Sequence, residues 1–97
     1  MGSVTTPLRT RARSIFDDLG YTVSPNGGEL RARRKWRTVR VTPMAEPCDP
    51  PTSGDMRCFV TWADRVDTLE GRLTRADPDY EWAIIGLERE CEDYVVA

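Results

Sequence analysis

Arg31, Arg33, Arg34, Lys35, Arg37 and Arg40 place six cations within ten residues, with Trp36 among them. The chemistry open to such a set is anion recognition. A guanidinium presents paired N–H donors to a phosphate or carboxylate, and an indole offers a face on which a base can stack. A basic tail would attract anions without being folded. Here, however, Trp36, Val39 and Val41 interrupt the charges, and these residue types suit a pleated, half-buried surface. The stretch 30–42 is therefore expected to be strand, with its arginines projecting from a sheet face.

Other chemistries find less support. The chain has no histidine, which removes the commonest general base near neutral pH and every Ser-His-Asp or Cys-His arrangement. Cys48, Cys58 and Cys91 are odd in number and lack Cys-x-x-Cys spacing, so no zinc set is expected. Three reduced thiols are expected, with a single disulfide as the alternative and Cys58 packed in a strand as a small apolar residue. Glu88, Glu90, Glu92 and Asp93 do not follow the Asp-x-Asp-x-Asp-Gly order of a calcium loop and read as a solvated turn. No metal and no cofactor are expected. Phe59, Trp62 and Trp82 have aliphatic neighbours and read as core rather than as a ligand box.

A chain of 97 residues can build one domain around one core. No apolar run reaches the roughly 18 residues of a membrane span, and residues 1–7 lack the pattern of a signal peptide. A soluble protein in the cytoplasm, with no membrane partner, is the expectation. Its basic residues are 13 arginines and one lysine, a skew expected of a high-GC genome or a salt-adapted proteome. Residues 1–42 carry nine cations and three anions, whereas 43–97 carry five cations and thirteen anions. Two explanations stay open: a surface with one cationic side, or two halves that neutralise each other across the fold.

The elements that must position the basic stretch follow from periodicity. Residues 1–6 are expected to be flexible. Thr6-Pro7 starts a helix as N-cap and first residue, and Leu8, Ala12, Ile15, Phe16 and Leu19 mark its buried stripe up to a Gly20 cap. Tyr21–Val23 reads as a strand, residues 24–28 as a turn, and Glu29–Arg33 as a second strand. Arg33-Arg34-Lys35 then form a tight connection or bulge, and Trp36–Thr42 a third strand with Val39 and Val41 facing the core. Arg37 shares the parity of the valines, which places it at the sheet margin. Residues 43–55 form a proline-rich loop. Met56–Trp62 reads as a strand buried on both faces, and a helix follows from about Asp64 to Asp77-Pro78, with Val66, Leu69 and Leu73 inward. Tyr80–Leu87 and Tyr94–Val96 are the last strands. The whole is one α+β domain over residues 7–97, with a single, largely antiparallel sheet, the order α-β-β-β-β-α-β-β, and two helices packed on it.

Two resemblances add to this. Leu19-Gly20-Tyr21-Thr22-Val23, then Gly27-Gly28-Glu29, then Trp36–Thr42 resemble the opening of restriction-endonuclease-like and resolvase-like domains. In that family an acid on the second strand and a Glu-x-Lys on the third hold metal and activate water against a phosphodiester. The resemblance puts Glu29 in the first position, but Arg40-Val41-Thr42 stands where Glu-x-Lys would be, and a proline-rich loop replaces the next helix. It therefore implies a degenerate relative. Glu29 is then expected to be a relic of that site or simply a turn residue, whose replacement by alanine should alter stability little. Residues 14–24, Arg34–Val41 and Asp77–Ala83 resemble a family of short uncharacterised haloarchaeal proteins, which carries no assigned activity and implies none.

Taken together, the sequence predicts a small non-catalytic binding or regulatory module whose cationic strand pair meets nucleic acid or an acidic protein surface. No helix-turn-helix, zinc finger, RNP or KH signature accompanies it. The alternatives are a protein-interaction domain, acting in self-association or as a subunit of a complex, and a degenerate nuclease-like domain.

Overall fold

A computed structural model describes residues 6–27, 29–46, 50, 56–89 and 94–96. Leu8, Ala12 and Phe16 recur one helical turn apart, and with half-buried Ile15 they form the inward stripe of helix α1, Thr6–Asp18. The expected cap at Thr6-Pro7 lies outside the described side chains. At the other end Gly20 adopts φ 90°, a conformation glycine enters without steric cost. Its N–H donates to the Asp17 carbonyl and that of Tyr21 to the Phe16 carbonyl, each at 3.0 Å. This is a Schellman cap, completed by the apolar contact such caps favour: the Phe16 and Tyr21 rings meet edge to face at 5.3 Å. The cap turns Leu19 outward, 49% exposed, contrary to its expected place in the stripe.

Among the described residues six strands lie side by side in chain order: β1 (Thr22–Asn26), β2 (Glu29–Arg34), β3 (Arg37–Pro43), β4 (Arg57–Trp62), β5 (Trp82–Leu87) and β6 (Tyr94–Val96). β1–β2, β2–β3 and β5–β6 are antiparallel, while β3–β4 and β4–β5 are parallel. The sheet is thus mixed, and the element order is the expected one. Each parallel pair requires a crossover. A 3-10 turn, Ala63–Arg65, and helix α2, Val66–Ala76, supply the second. The first is the proline-rich segment after Pro43, in which residues 47–49 and 51–55 lie outside the described residues.

The boundaries around the basic stretch differ from expectation for a clear reason. Leu30 pairs with Val41 and Ala32 with Val39, and burying those four side chains on one face fixes the register. That register extends β2 to Arg34 opposite Arg37 and leaves Lys35-Trp36 as a two-residue turn. Trp36 is therefore in a turn, not a strand, and Arg34 is not in a bulge. The turn lacks the Asn-Gly chemistry hairpins favour, and Lys35 takes φ 56°, costing about 1–2 kcal/mol for a residue with a Cβ. β1 likewise runs on through Ser24-Pro25-Asn26, where an edge position tolerates the proline.

Both faces of the sheet carry a core. α1 covers one, packing Leu8, Ala12 and Phe16 on Leu30, Ala32, Val39, Val41, Cys58, Val60, Ile85 and Leu87. α2 covers part of the other, packing Leu69 and Leu73 on Phe59 and Ile84, with Tyr80 and Met44 at the margin. Trp62 and Trp82 are half-buried against these clusters. Close seating of the α2 connection depends on Gly86, where a Cβ would strike Val66 Cγ2 and come within 3.1 Å of Ala63 Cα and Val95 Cγ2. Because α2 sits over β4 and β5, no described helix packs on its side of β1–β3.

Candidate functional site

Alternation along β1–β3 decides which side chains occupy this half-face, which no described helix covers. Thr22 and Ser24 come from β1, Glu29, Arg31 and Arg33 from β2, and Thr38, Arg40 and Thr42 from β3. Register sets them in rows: Ser24, Arg31, Arg40 and Arg57 form one, and Thr22, Arg33 and Thr38 the next. Arg31, Arg33, Thr38 and Arg40 line a concavity of about 220 Å³. Arg31 and Arg40 are directly opposed, and like charges in that relation destabilise a strand pair. Arg40 has some relief from Glu29, its Nε lying 3.9 Å from the carboxylate. Arg31 and Arg33 are exposed and have no hydrogen bond or ion pair among the described residues.

The same face ends in a network that sequence reasoning missed. Arg57, on β4, is buried, with only 4% of its side chain exposed. Its Nη1 donates to Glu29 Oε2 at 2.5 Å and to Thr42 Oγ at 2.9 Å, while the Thr42 hydroxyl donates to the same carboxylate at 2.8 Å. The guanidinium carbon lies 5.5 Å from the Tyr80 ring centroid. Burial raises the Tyr80 phenol above its usual range, against the opposing pull of Arg57. Glu29 is thus the counter-charge of a buried arginine, which corrects the expectation that, as a relic or a turn residue, it could be replaced at little cost. The signal lay in the strand Met56–Trp62, where Arg57 shares the parity of Phe59; an arginine there needs an acid, and Glu29 stands alone between Asp18 and Glu46.

Around the hairpin tip, Arg34, Lys35, Trp36 and Arg37 join Tyr21 in lining a second concavity of about 440 Å³. Trp36 is 91% exposed. Arg34 and Arg37, the last cross-strand pair, share the parity of the α1-side residues. Arg34 Nε lies 3.7 Å from where a Gly20 Cβ would stand, beside the C-terminal carbonyls of α1 that favour a cation. Arg37 donates to Met56 Sδ at 3.8 Å. The candidate residues therefore divide. Arg31, Arg33 and Arg40 share one sheet face, whereas Arg34, Lys35, Trp36 and Arg37 wrap the tip toward the other.

The alternative of mutual neutralisation placed these cations against acids such as Glu81, Glu88, Glu90 and Glu92. Among the described residues neither Glu81 nor Glu88 pairs with them. The Glu88 backbone carbonyl instead accepts from Arg11 Nη1 at 2.5 Å, and Glu90, Glu92 and Asp93 lie outside the described residues. Cys58 is buried, and desolvation pushes its thiol up to about 12, so it is inert at neutral pH. Cys48 and Cys91 lie outside the described residues. Among the described residues no group of three His, Cys, Asp or Glu side chains is placed to hold a metal ion, and no helix is long and apolar enough to cross a membrane.

Fold and surface define a small α+β domain with a helix on each face of a mixed sheet and a cationic half-face that no described helix covers. Residues 9–96 match the family of unknown function DUF7116, and the chain belongs to that family. No curated protein and no solved structure matches it.

Proposed function

We propose that this is a non-catalytic binding or regulatory module whose open β1–β3 face engages a polyanion, with nucleic acid the first partner and an acidic protein surface the second. One observation carries the reading: Arg31, Arg33 and Arg40 stand on a single open face, two of them opposed, with Glu29 as their one neighbouring acid among the described residues. A bound phosphate chain would relieve that repulsion and release counterions. The degenerate-nuclease reading is weakened because the Glu29 carboxylate is already held by Arg57 and Thr42. The arginine-for-lysine skew supports a haloarchaeal source, and a cytoplasmic site of action fits the same picture. Fluorescence anisotropy with labelled oligonucleotides tests the reading. Binding is expected at low ionic strength and should weaken steeply with salt; absence of binding to single and double strands alike overturns it.

Self-association is a second reading, favoured by β6. This strand lies at the edge of the sheet with Tyr94, Val95 and Val96 exposed to 42%, 49% and 66%, and an apolar edge strand invites pairing with another chain. Sedimentation at rising concentration, with Val95→Lys as the disrupting variant, separates it from the first.

A further inference from the structure

Resting on the nucleic-acid reading above, we infer that the ligand is single-stranded and bends around the β2–β3 hairpin, with one base stacked on Trp36. The cationic surface is not one plane. One concavity, lined by Arg31, Arg33, Thr38 and Arg40, opens on the face that α2 leaves bare. The other, lined by Tyr21, Arg34, Lys35, Trp36 and Arg37, opens around the tip on the α1 side. Adjacent residues of β2 and β3 point to opposite faces, so Arg33 and Arg34 belong to different concavities though they are neighbours in sequence. A polyanion that uses both sets must turn sharply at Lys35-Trp36. Duplex DNA is stiff over about 150 base pairs and meets one set at a time. A single strand bends at every nucleotide.

Trp36 supports the same choice. A 91% exposed indole at the point where the two surfaces meet has no packing role in the fold. Bases within a duplex are already stacked on each other, whereas an unpaired base has a free face for an aromatic side chain. Arg34 and Arg37 are cross-strand partners immediately before and after the turn, so they flank Trp36 and stand ready for the phosphates on either side of the stacked nucleotide. Tyr21, fixed edge to face on Phe16, forms the wall behind them. Lys35 contributes a cation at the apex, held there with φ 56°.

The test compares a short labelled oligonucleotide as a single strand and as a duplex, at low ionic strength, against the wild-type protein, Trp36→Ala, Trp36→Phe and the triple variant Arg31→Gln/Arg33→Gln/Arg40→Gln. The single strand is expected to bind about tenfold more tightly than the duplex. Trp36→Ala should lose about tenfold on the single strand, in line with removal of one stacked base, with little change on the duplex. Trp36→Phe should retain most affinity, and the quenching of indole emission seen with the wild type should vanish in it, since the remaining Trp62 and Trp82 are partly buried. Equal or tighter duplex binding, lost in the triple variant but not in Trp36→Ala, overturns the inference and leaves the nucleic-acid reading standing. No binding to either form sinks both.

Discussion

Arg57 and Glu29 meet at 2.5 Å across an intervening strand, with the Thr42 hydroxyl bridging them. This pair ties β2 to β4 through β3 and does so at the edge of the open cationic face. Arg57 Nε is buried without a hydrogen-bond partner among the described residues, so the guanidinium depends on Glu29, Thr42 and Tyr80. A buried arginine deprived of its acid keeps its desolvation penalty and loses the compensation.

Glu29→Ala should therefore lower stability by about 3 kcal/mol, the range found when one partner of a buried pair is removed. Urea denaturation measures it. Replacing both partners with apolar residues, as in Glu29→Leu/Arg57→Met, should recover most of the loss. Equal stability of Glu29→Ala and the wild type would falsify the counter-charge role.

Gly86→Ala adds a methyl where Val66, Ala63 and Val95 already converge. Ala63 Cα is backbone and cannot swing aside, so the 3-10 turn must lift or β6 must shift. Overpacking of this kind costs about 1–3 kcal/mol, and the thermal midpoint should fall accordingly. A neutral substitution would mean that the turn does not press on β5.

The element order was legible because apolar periodicity and Gly20, Pro43 and Pro78 punctuate the chain. What escaped was governed by pairing across strands. No local pattern says that the turn falls at Lys35-Trp36; it falls there because Leu30 and Ala32 must meet Val41 and Val39. The division of the cations between two surfaces follows from that register and was invisible without it. The role of Glu29 was half legible: the parity of Arg57 with Phe59 shows that the arginine needs an acid, but the register that brings Glu29 to it from 28 residues away on a non-adjacent strand does not show locally.

Alkaline pH should weaken the fold through Cys58. Its acid is harder to ionise in the folded chain, at about 12, than at the ordinary 9.0. Between those values the folded state holds the proton that the unfolded state releases. Stability is then fully present below pH 9.0 and falls as pH rises toward 12, by at most about 1.4 kcal/mol per pH unit from this group. Tyr80, also raised by burial, acts in the same direction at higher pH. Urea midpoints measured across this range should fall less steeply for Cys58→Ala than for the wild type. Parallel curves would rule out the thiol as a source of the slope.

The open face makes the most direct prediction, through salt. If Arg31, Arg33 and Arg40 each neutralise a phosphate, affinity should fall as ionic strength rises, with a log–log slope near −0.9 per contact on duplex DNA and about −0.7 on a single strand. Substituting all three with glutamine should then flatten the slope by roughly two to three units, depending on the strand form. The triple variant should stay folded, because Arg31 and Arg33 are exposed and Arg40 touches Glu29 only at 3.9 Å. Removing the Arg31–Arg40 repulsion should if anything steady the β2–β3 pair by a few tenths of a kcal/mol. Arg57 is left intact in this variant so that its pairing with Glu29 is preserved, and denaturation curves separate lost binding from lost structure. A slope that survives all three substitutions would move the contact elsewhere on the molecule, whereas an unfolded variant would mean that these arginines hold the fold together rather than face a partner.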